Sequence, residues 1–424
     1  MPMRTGLAFF YTSLNRNSVN ALAGALENHP VATKAHVCFF YYAHALLPET
    51  GRILETHDKA LLCFSFCTPQ KWETQELVAQ LRMAYGNRIT LIAGGPHATG
   101  DPKGTLAMGF DYAVLGEAEE TFPALAEQLL EDGDVTAIKG IAFYQPGAGY
   151  MHTGPAGLVD LDAFPPFSLR YDKLGSIEIT RGCPFSCHFC QATQLTRGTV
   201  RHRKSEAIVA AVAEMRKRDM YNIRFVSADA FAYGSPDGLG INLHAMEELL
   251  TGVNQAIGKK GRVFFGNFPA EVRPEHVTTD TVALVLKYAC NKNIVVGAQT
   301  GSQRLLDLCN RGHTVNDVYQ AIDIACSASL KPFVDFIFGL PGETEDDALH
   351  TVRMMQALVK MGATIHAHTF MPLPGTGFEH EPCGAINPAI RKIVERELLP
   401  KGALFGQWEK QEKVTAKLLK NNGC

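Results

Sequence analysis

The stretch SIEITRGCPFSCHFCQA, Ser176 to Ala192, sets a short alternating apolar run against three cysteines. Ile177 and Ile179 alternate with polar neighbours as a half-buried strand does, and Gly182 and Pro184 then break the strand. A strand that ends in a loop dense in reactive residues is the repeating unit of a parallel α/β barrel, whose chemistry collects at the C-terminal strand ends. Cys183, Cys187 and Cys190 stand four and three residues apart on that loop. No fourth cysteine lies nearby to complete the tetrahedron of a structural zinc site, and His188, inside the loop, is a candidate fourth ligand. Three thiolates suit an iron-sulfur cube with one iron left open, against the alternatives of three free core cysteines or a zinc knuckle.

Working outward, five more strand-like runs follow: NIRFVSADAF, GRVFFGNF, NIVVGAQT, FVDFIFGL and TIHAHTF. Segments such as EAIVAAVAEMRKR and DTVALVLKYAC, with helical periodicity, lie between them. Six strand-helix units predict a partial (β/α)6 barrel of TIM type over residues 174–376, followed by a short C-terminal helical extension, 377–424. Toward the N-terminus, TGLAFFYT, AHVCFFYYA, ALLCFSFC, ITLIAGG and YAVLGE alternate with helical segments. That rhythm predicts a doubly wound, Rossmann-like parallel sheet over residues 1–145, the whole chain being α/β. The stretch from Gln145 to Ser168, rich in Gly and Pro and carrying Pro165-Pro166, reads as part of a linker over 146–173.

Composition bounds the partners. Forty Lys+Arg against 43 Asp+Glu leave a formal net charge of -3, with no nucleic-acid footprint. No window approaches the roughly 20 apolar residues of a membrane span, and the start carries no cleavage site, so a cytoplasmic location is expected. Eleven cysteines, an odd number unevenly spread, argue for a reducing compartment and against a disulfide framework. The expected partner is a small molecule.

The pattern CxxxCxxC, with Phe189 before its last cysteine and a barrel strand before it, resembles the signature of the radical S-adenosylmethionine (SAM) superfamily. The resemblance implies that Cys183, Cys187 and Cys190 ligate a 4Fe-4S cluster whose open iron chelates SAM. One electron, from a donor such as ferredoxin or flavodoxin, then splits the sulfonium. VGAQTGSQRLLDLCNRGHT and VDFIFGLPGET are similar to stretches of the coproporphyrinogen-oxidase-like branch. Carried over, Gln299, Ser302, Arg311 and Asp335 would contact SAM with Phe189, Thr300 standing where that branch often has serine. Ser227 and Asp229, in VSADAF, would accept from a charged amine. Asp335, Arg311 and Gln299 have plainer alternatives, as a strand-end cap, a surface ion pair and a satisfied core amide. His366 and His368, two apart on the last strand, point the same way and act as acid, base or donor, or else pack as a hydrogen-bonded pair.

LIAGGPHATGDP, with LLCFSFCTPQ before it and FDYAVLGEAEETFPAL after it, resembles the cobalamin-binding domain that precedes the radical module in two-domain members. By that resemblance Ser65, Thr68, Gly94, Gly95, His97, Gly116 and Glu117 would line cobalamin. The place of the cobalt-ligating DxHxxG loop reads YTSLNRNS, which has no histidine, so a histidine below cobalt is not expected. His44 and His97 could each be ordinary surface or core histidines, and Cys63 and Cys67 read as core. The basic run Arg197 to Glu206 reads as a solvated loop or as a contact for an anionic substrate. RHRKSEAI, AEVRPEHV and FMPLPGT are similar to an archaeal and anaerobe group of such proteins with unassigned substrates. The implied function is methyl transfer to an unactivated carbon. The alternatives are a radical cyclase, lyase or rearrangement enzyme of cofactor or tetrapyrrole synthesis without methyl transfer, and a non-catalytic iron-sulfur sensor.

Overall fold

The computed structural model describes residues 5–421, which fall into two compact units. One holds the chain up to Gly175 together with Gln194–Thr196; the remainder forms the other.

In the first unit seven strands make one sheet in the order β2-β1-β3-β4-β5-β6-β7. They are β1 (Thr5–Phe10), β2 (His36–Phe40), β3 (Lys59–Ser65), β4 (Ile89–Gly94), β5 (Tyr112–Val114), β6 (Ile141–Gln145) and β7 (Gly149–His152). The first five run parallel, as the alternation predicts, and β6 and β7 are antiparallel. Successive side chains of a strand point to opposite faces, and here both faces are covered. Leu7, Phe9, Leu61, Cys63 and Ile92 join one apolar cluster, while Ala8, Leu62, Phe64, Leu91 and Ala93 join the other. Strands buried on both sides explain why these runs read as continuously apolar. Part of the stretch read as a linker is itself sheet: β7 pairs with β6 across a turn carrying Gly147 and Gly149 at positive φ.

The second unit contains β8 (Ile177–Glu178), β9 (Thr180–Arg181), β10 (Arg201–His202), β11 (Asn222–Val226), β12 (Arg262–Phe264), β13 (Asn293–Gln299), β14 (Lys331–Phe338), β15 (Thr364–Thr369) and β16 (Leu404–Gly406). Parallel pairing gives the rows β8-β11-β12 and β13-β14-β15-β16. Residues 266–272 join the rows, through Val295 N–H to Gly266 O and the Val272–Val296 bridge. The partial barrel is therefore as expected, with one addition. The C-terminal extension supplies a seventh strand, β16, which sets Phe405 opposite His366. Three residues of strand in a polar tail carry too little periodicity to be read from sequence. No helix among the described residues is long and apolar enough to cross a membrane.

Along β14 the outward residues Val334, Phe336 and Phe338 are buried against the helix layer. Period two therefore puts Asp335 on the opposite, lumenal side, level with His366 of β15. Near the strand ends, Asp347 ties two helices down. Its carboxylate accepts from Thr344 N–H (2.8 Å) and Oγ1 (2.6 Å), from Ser302 Oγ and from the Arg304 guanidinium. Burial alone would raise its pKa, yet these donors outweigh burial and hold it well below the carboxylate range. Asp347→Ala is expected to cost about 2–4 kcal/mol, read by denaturant unfolding. Because the folded pKa is the lower one, the stabilisation is full above the unfolded value of ~3.9 and fades as pH falls below it.

Candidate active site

The cysteine loop is the tip of a hairpin. Strand β9 enters it and β10 returns antiparallel, Arg201 opposite Arg181 and His202 opposite Thr180. Thus the run from Arg197, read as a solvated loop, is the returning arm, and Arg203 is buried with its Nε donating to Glu178 O. Gly182 makes the entry possible: its φ is +95° and a Cβ there would sit 2.0 Å from Thr199 O. Beyond it, Cys190 N–H donates to Cys187 O at 3.0 Å, and Ala192 N–H reaches Cys190 Sγ at 3.4 Å. All three cysteines are free thiols, Cys187 the most buried, and burial pushes the Cys190 thiol up to about 11. His188 is engaged elsewhere, its Nδ1 on Leu308 O at 2.8 Å and its ring edge-on to Phe378. Phe189 packs beside Ile337, Phe370 and Phe378.

Two guanidinium groups back the loop. Arg311 Nη1 lies 3.7 Å from Cys187 Sγ, and its Nη2 donates to Gly297 O at 3.1 Å. Arg273, which the sequence reading passed over, stacks 3.3 Å from the centre of the Phe185 ring and donates to Arg311 O at 2.6 Å. Arg273 is buried and Arg311 half-buried, and Arg311 Nε and Arg273 Nη1 find no hydrogen-bond partner among the described residues. Three soft thiols against two guanidinium cations form a donor set that suits an anionic iron-sulfur cluster, and the unpartnered N–H groups suit a carboxylate ligand beside it.

Further residues line the lumen. Gln299 ends β13 at φ +72°, beside Arg311. Asp335 Oδ1 accepts from His366 Nδ1 at 2.6 Å, and the His366 ring stacks on Phe405 at 4.6 Å and lies 4.3 Å from the His368 ring. Glu271, also missed from sequence, is hydrogen-bonded to Asp335; burial first, then the Asp335 charge, pushes it up to about 7. It alternates with Arg273 across Val272, the one period-two signal that could have exposed both.

Other expectations are redirected. Asp229 does not present a free carboxylate: Oδ1 accepts from Phe231 N–H, and Oδ2 meets His276 Nδ1 at 2.5 Å. Ser227 Oγ donates to Asp229 O at 2.8 Å. Ser302 caps the helix Gln303–Leu308 and donates to Asp347, so its hydroxyl serves the fold. Thr300 is buried against Thr351, Oγ1 to Oγ1 at 3.0 Å.

In the first unit, Ser65, Gly94, Gly95 and Thr68 gather at the C-terminal ends of β3 and β4, where a doubly wound sheet receives its ligand. At Gly94 a Cβ would meet nothing closer than Val114 O at 3.9 Å, whereas at Gly95, φ +90°, it would meet Ser65 Oγ at 2.9 Å. His97 is buried, its Nδ1 paired with Thr68 Oγ1 at 3.0 Å and its Nε2 without a partner among the described residues; burial, with Lys71 adding to it, lowers it to about 4. Gly116 has φ +73° and its N–H donates to Thr99 Oγ1 at 3.0 Å, while Glu117 accepts from Val159 N–H at 2.9 Å. A bare strand end near a buried imidazole whose Nε2 is unpaired among the described residues leaves space and a polar contact for a bulky ligand such as a corrin. Loop residues 11–15 hold no histidine; Asn15 fills that turn, bridging Phe10 O and Ser65 O. Cys63 is core, Cys67 is exposed past the end of β3, and His44 is exposed.

Comparison with known proteins agrees with this division. The family model of the radical SAM superfamily matches residues 177–355, and that of the B12 binding domain matches residues 9–126. An uncharacterized protein of Methanopyrus kandleri is 26% identical over 348 residues, covering 70% of this chain and 64% of that protein. An uncharacterized methyltransferase of Pyrococcus horikoshii is 23% identical over 342 residues, covering 77% and 70%. Among solved structures, the radical S-adenosylmethionine methyltransferase TsrM from Kitasatospora setae, with cobalamin and a [4Fe-4S] cluster bound, superposes with a TM-score of 0.69. The identity is 14%, over 89% of this chain and 74% of that one. The cobalamin-dependent S-adenosylmethionine radical enzyme OxsB, with aqua-cobalamin and S-adenosylmethionine bound, gives 0.66 at 14% identity, over 83% and 52%.

Proposed function

Since the chain belongs to the radical SAM superfamily and carries a B12-binding domain, we propose that it is a methyltransferase acting on an unactivated carbon of a small molecule. What carries the reading is the joint presence of three free thiols backed by Arg311 and Arg273 with a bare strand end at Gly94. When bound, the cluster with SAM supplies one-electron cleavage of a sulfonium, and cobalamin supplies a methyl carrier.

Cys183, Cys187 and Cys190 would hold the cluster. Arg311 would pair with the SAM carboxylate while its Nη1 stays on Cys187, and Gln299 and Phe189 would flank the same ligand. Asp335, proposed from sequence as a further SAM contact, faces His366 and is better placed to orient that ring. Ser65, Thr68, Gly94, Gly95, His97, Gly116 and Glu117 would line the corrin and its tail. The electron would come from a ferredoxin or flavodoxin.

Anaerobic reconstitution with iron, sulfide and hydroxocobalamin tests the reading. A corrin band that survives desalting, and deoxyadenosine together with S-adenosylhomocysteine from SAM under dithionite, are expected. Deoxyadenosine alone would move the function to a radical enzyme without methyl transfer. Arg311→Met is expected to weaken SAM binding about 10–100-fold with iron content unchanged, measured by equilibrium dialysis and iron assay.

A further inference from the structure

Asp335, His366 and His368 bring one ligand atom each to within 4.8 Å of one another, an arrangement that a divalent metal could use. The surrounding hydrogen bonds give it a different purpose. The amide of Gln411, on the helix Trp408–Asn421, is fixed in orientation because its Oε1 accepts from Thr369 N–H at 2.9 Å. Its Nε2 must then donate to His368 Nδ1, at 3.3 Å. A neutral His368 that accepts at Nδ1 carries its proton on Nε2, and burial, reinforced by His366, keeps His368 neutral by lowering its pKa. His366 is set the opposite way: its Nδ1–H donates to Asp335, so in the neutral ring Nε2 holds the lone pair.

We propose that His366 and His368 are a proton acceptor and a hydrogen-bond donor of fixed, opposite tautomer, set by Asp335 and Gln411, for a substrate with an exchangeable proton on oxygen or nitrogen. In the step, the substrate's X–H bond breaks heterolytically, the electron pair stays on X, and the proton moves to His366 Nε2. Asp335 then faces the imidazolium. The charged and titratable groups around the ring are Asp335, Glu271 and His368, with Phe405 stacked on its face, and Arg311 acts on Glu271 from beyond. Glu271, hydrogen-bonded to Asp335, has its pKa raised by burial and by the Asp335 charge. A metal at this place would need lone pairs from both rings, and His368 has its only one turned to Gln411. Asp335 and Gln411 are positioning residues, and the C-terminal extension joins the site through Phe405 and Gln411. The substrate class rests on the methyltransferase reading; the tautomers do not.

The test is 15N NMR of histidine-labelled full chain carrying its oxidised cluster, without substrate. A protonated Nδ1 on His366 and a protonated Nε2 on His368 are expected. Gln411→Glu, whose carboxylate accepts from Nδ1–H, should invert His368 alone, and Asp335→Asn should invert His366. A bare Nδ1 on His366, or an unchanged His368 in Gln411→Glu, overturns the assignment. So does stoichiometric Zn(II) bound by the holo-protein and lost in His368→Gln. Formation of deoxyadenosine is scored separately, so a failed tautomer assignment is not confused with a failed enzyme assignment.

Discussion

Cys187→Ala is expected to remove the iron-sulfur cluster and with it deoxyadenosine formation, a loss on the order of 10³-fold or more, while the chain stays folded. The fold survives because the loop backbone is held without the thiol. Its arms pair as β9 and β10, His188 N–H donates to Cys309 O at 3.0 Å, and Phe378 N–H donates to His188 O at 2.9 Å. Removing one sulfur leaves two thiolates for a cube that needs three, and it leaves Arg311 Nη1 facing no sulfur. Iron and sulfide assays, absorbance and a deoxyadenosine assay on the same sample check this. Deoxyadenosine at wild-type level in Cys187→Ala would refute the ligand assignment. Circular dichroism unchanged beside zero iron would separate loss of the site from loss of the fold.

The architecture was legible where burial imposes a period. Strands β1 to β5 are covered on both faces, so their apolar runs announce themselves, and the barrel strands end at the motifs that resemble a known family. The cysteine loop was legible from spacing alone. Polar residues were harder, because a type shows what a side chain could do and only geometry shows what it is already bonded to. Ser302 and Asp229 look like ligand contacts in sequence, yet their oxygens meet Asp347, Phe231 N–H and His276. Gln411 and Phe405 carried no signal. They lie in a polar tail far along the chain from His366 and His368, and only the parallel pairing of β16 with β15 brings them there.

Gly94→Val is expected to abolish cobalamin binding, at least about 100-fold, with a melting temperature within about 2 °C of wild type. Gly95 has φ +90° and a Cβ there would crowd Ser65 Oγ and Phe66 O, at 2.9 and 3.0 Å, so even alanine strains the turn. Gly94 ends β4, and the nearest atoms to its Cβ are Val114 O and Phe64 O, at 3.9 and 4.0 Å, ordinary contact. The protein therefore has room for a Cβ at Gly94, and the two methyl groups valine carries beyond it are expected to fill space at the sheet's C-terminal end. If that space exists for a corrin, binding is lost and stability is kept. If glycine is there for the fold, stability falls with binding, as Gly95→Ala should show by about 1–2 kcal/mol. Equilibrium dialysis against hydroxocobalamin, paired with thermal unfolding of both variants, separates the two. Wild-type corrin affinity in Gly94→Val would remove the β4 end from the binding site.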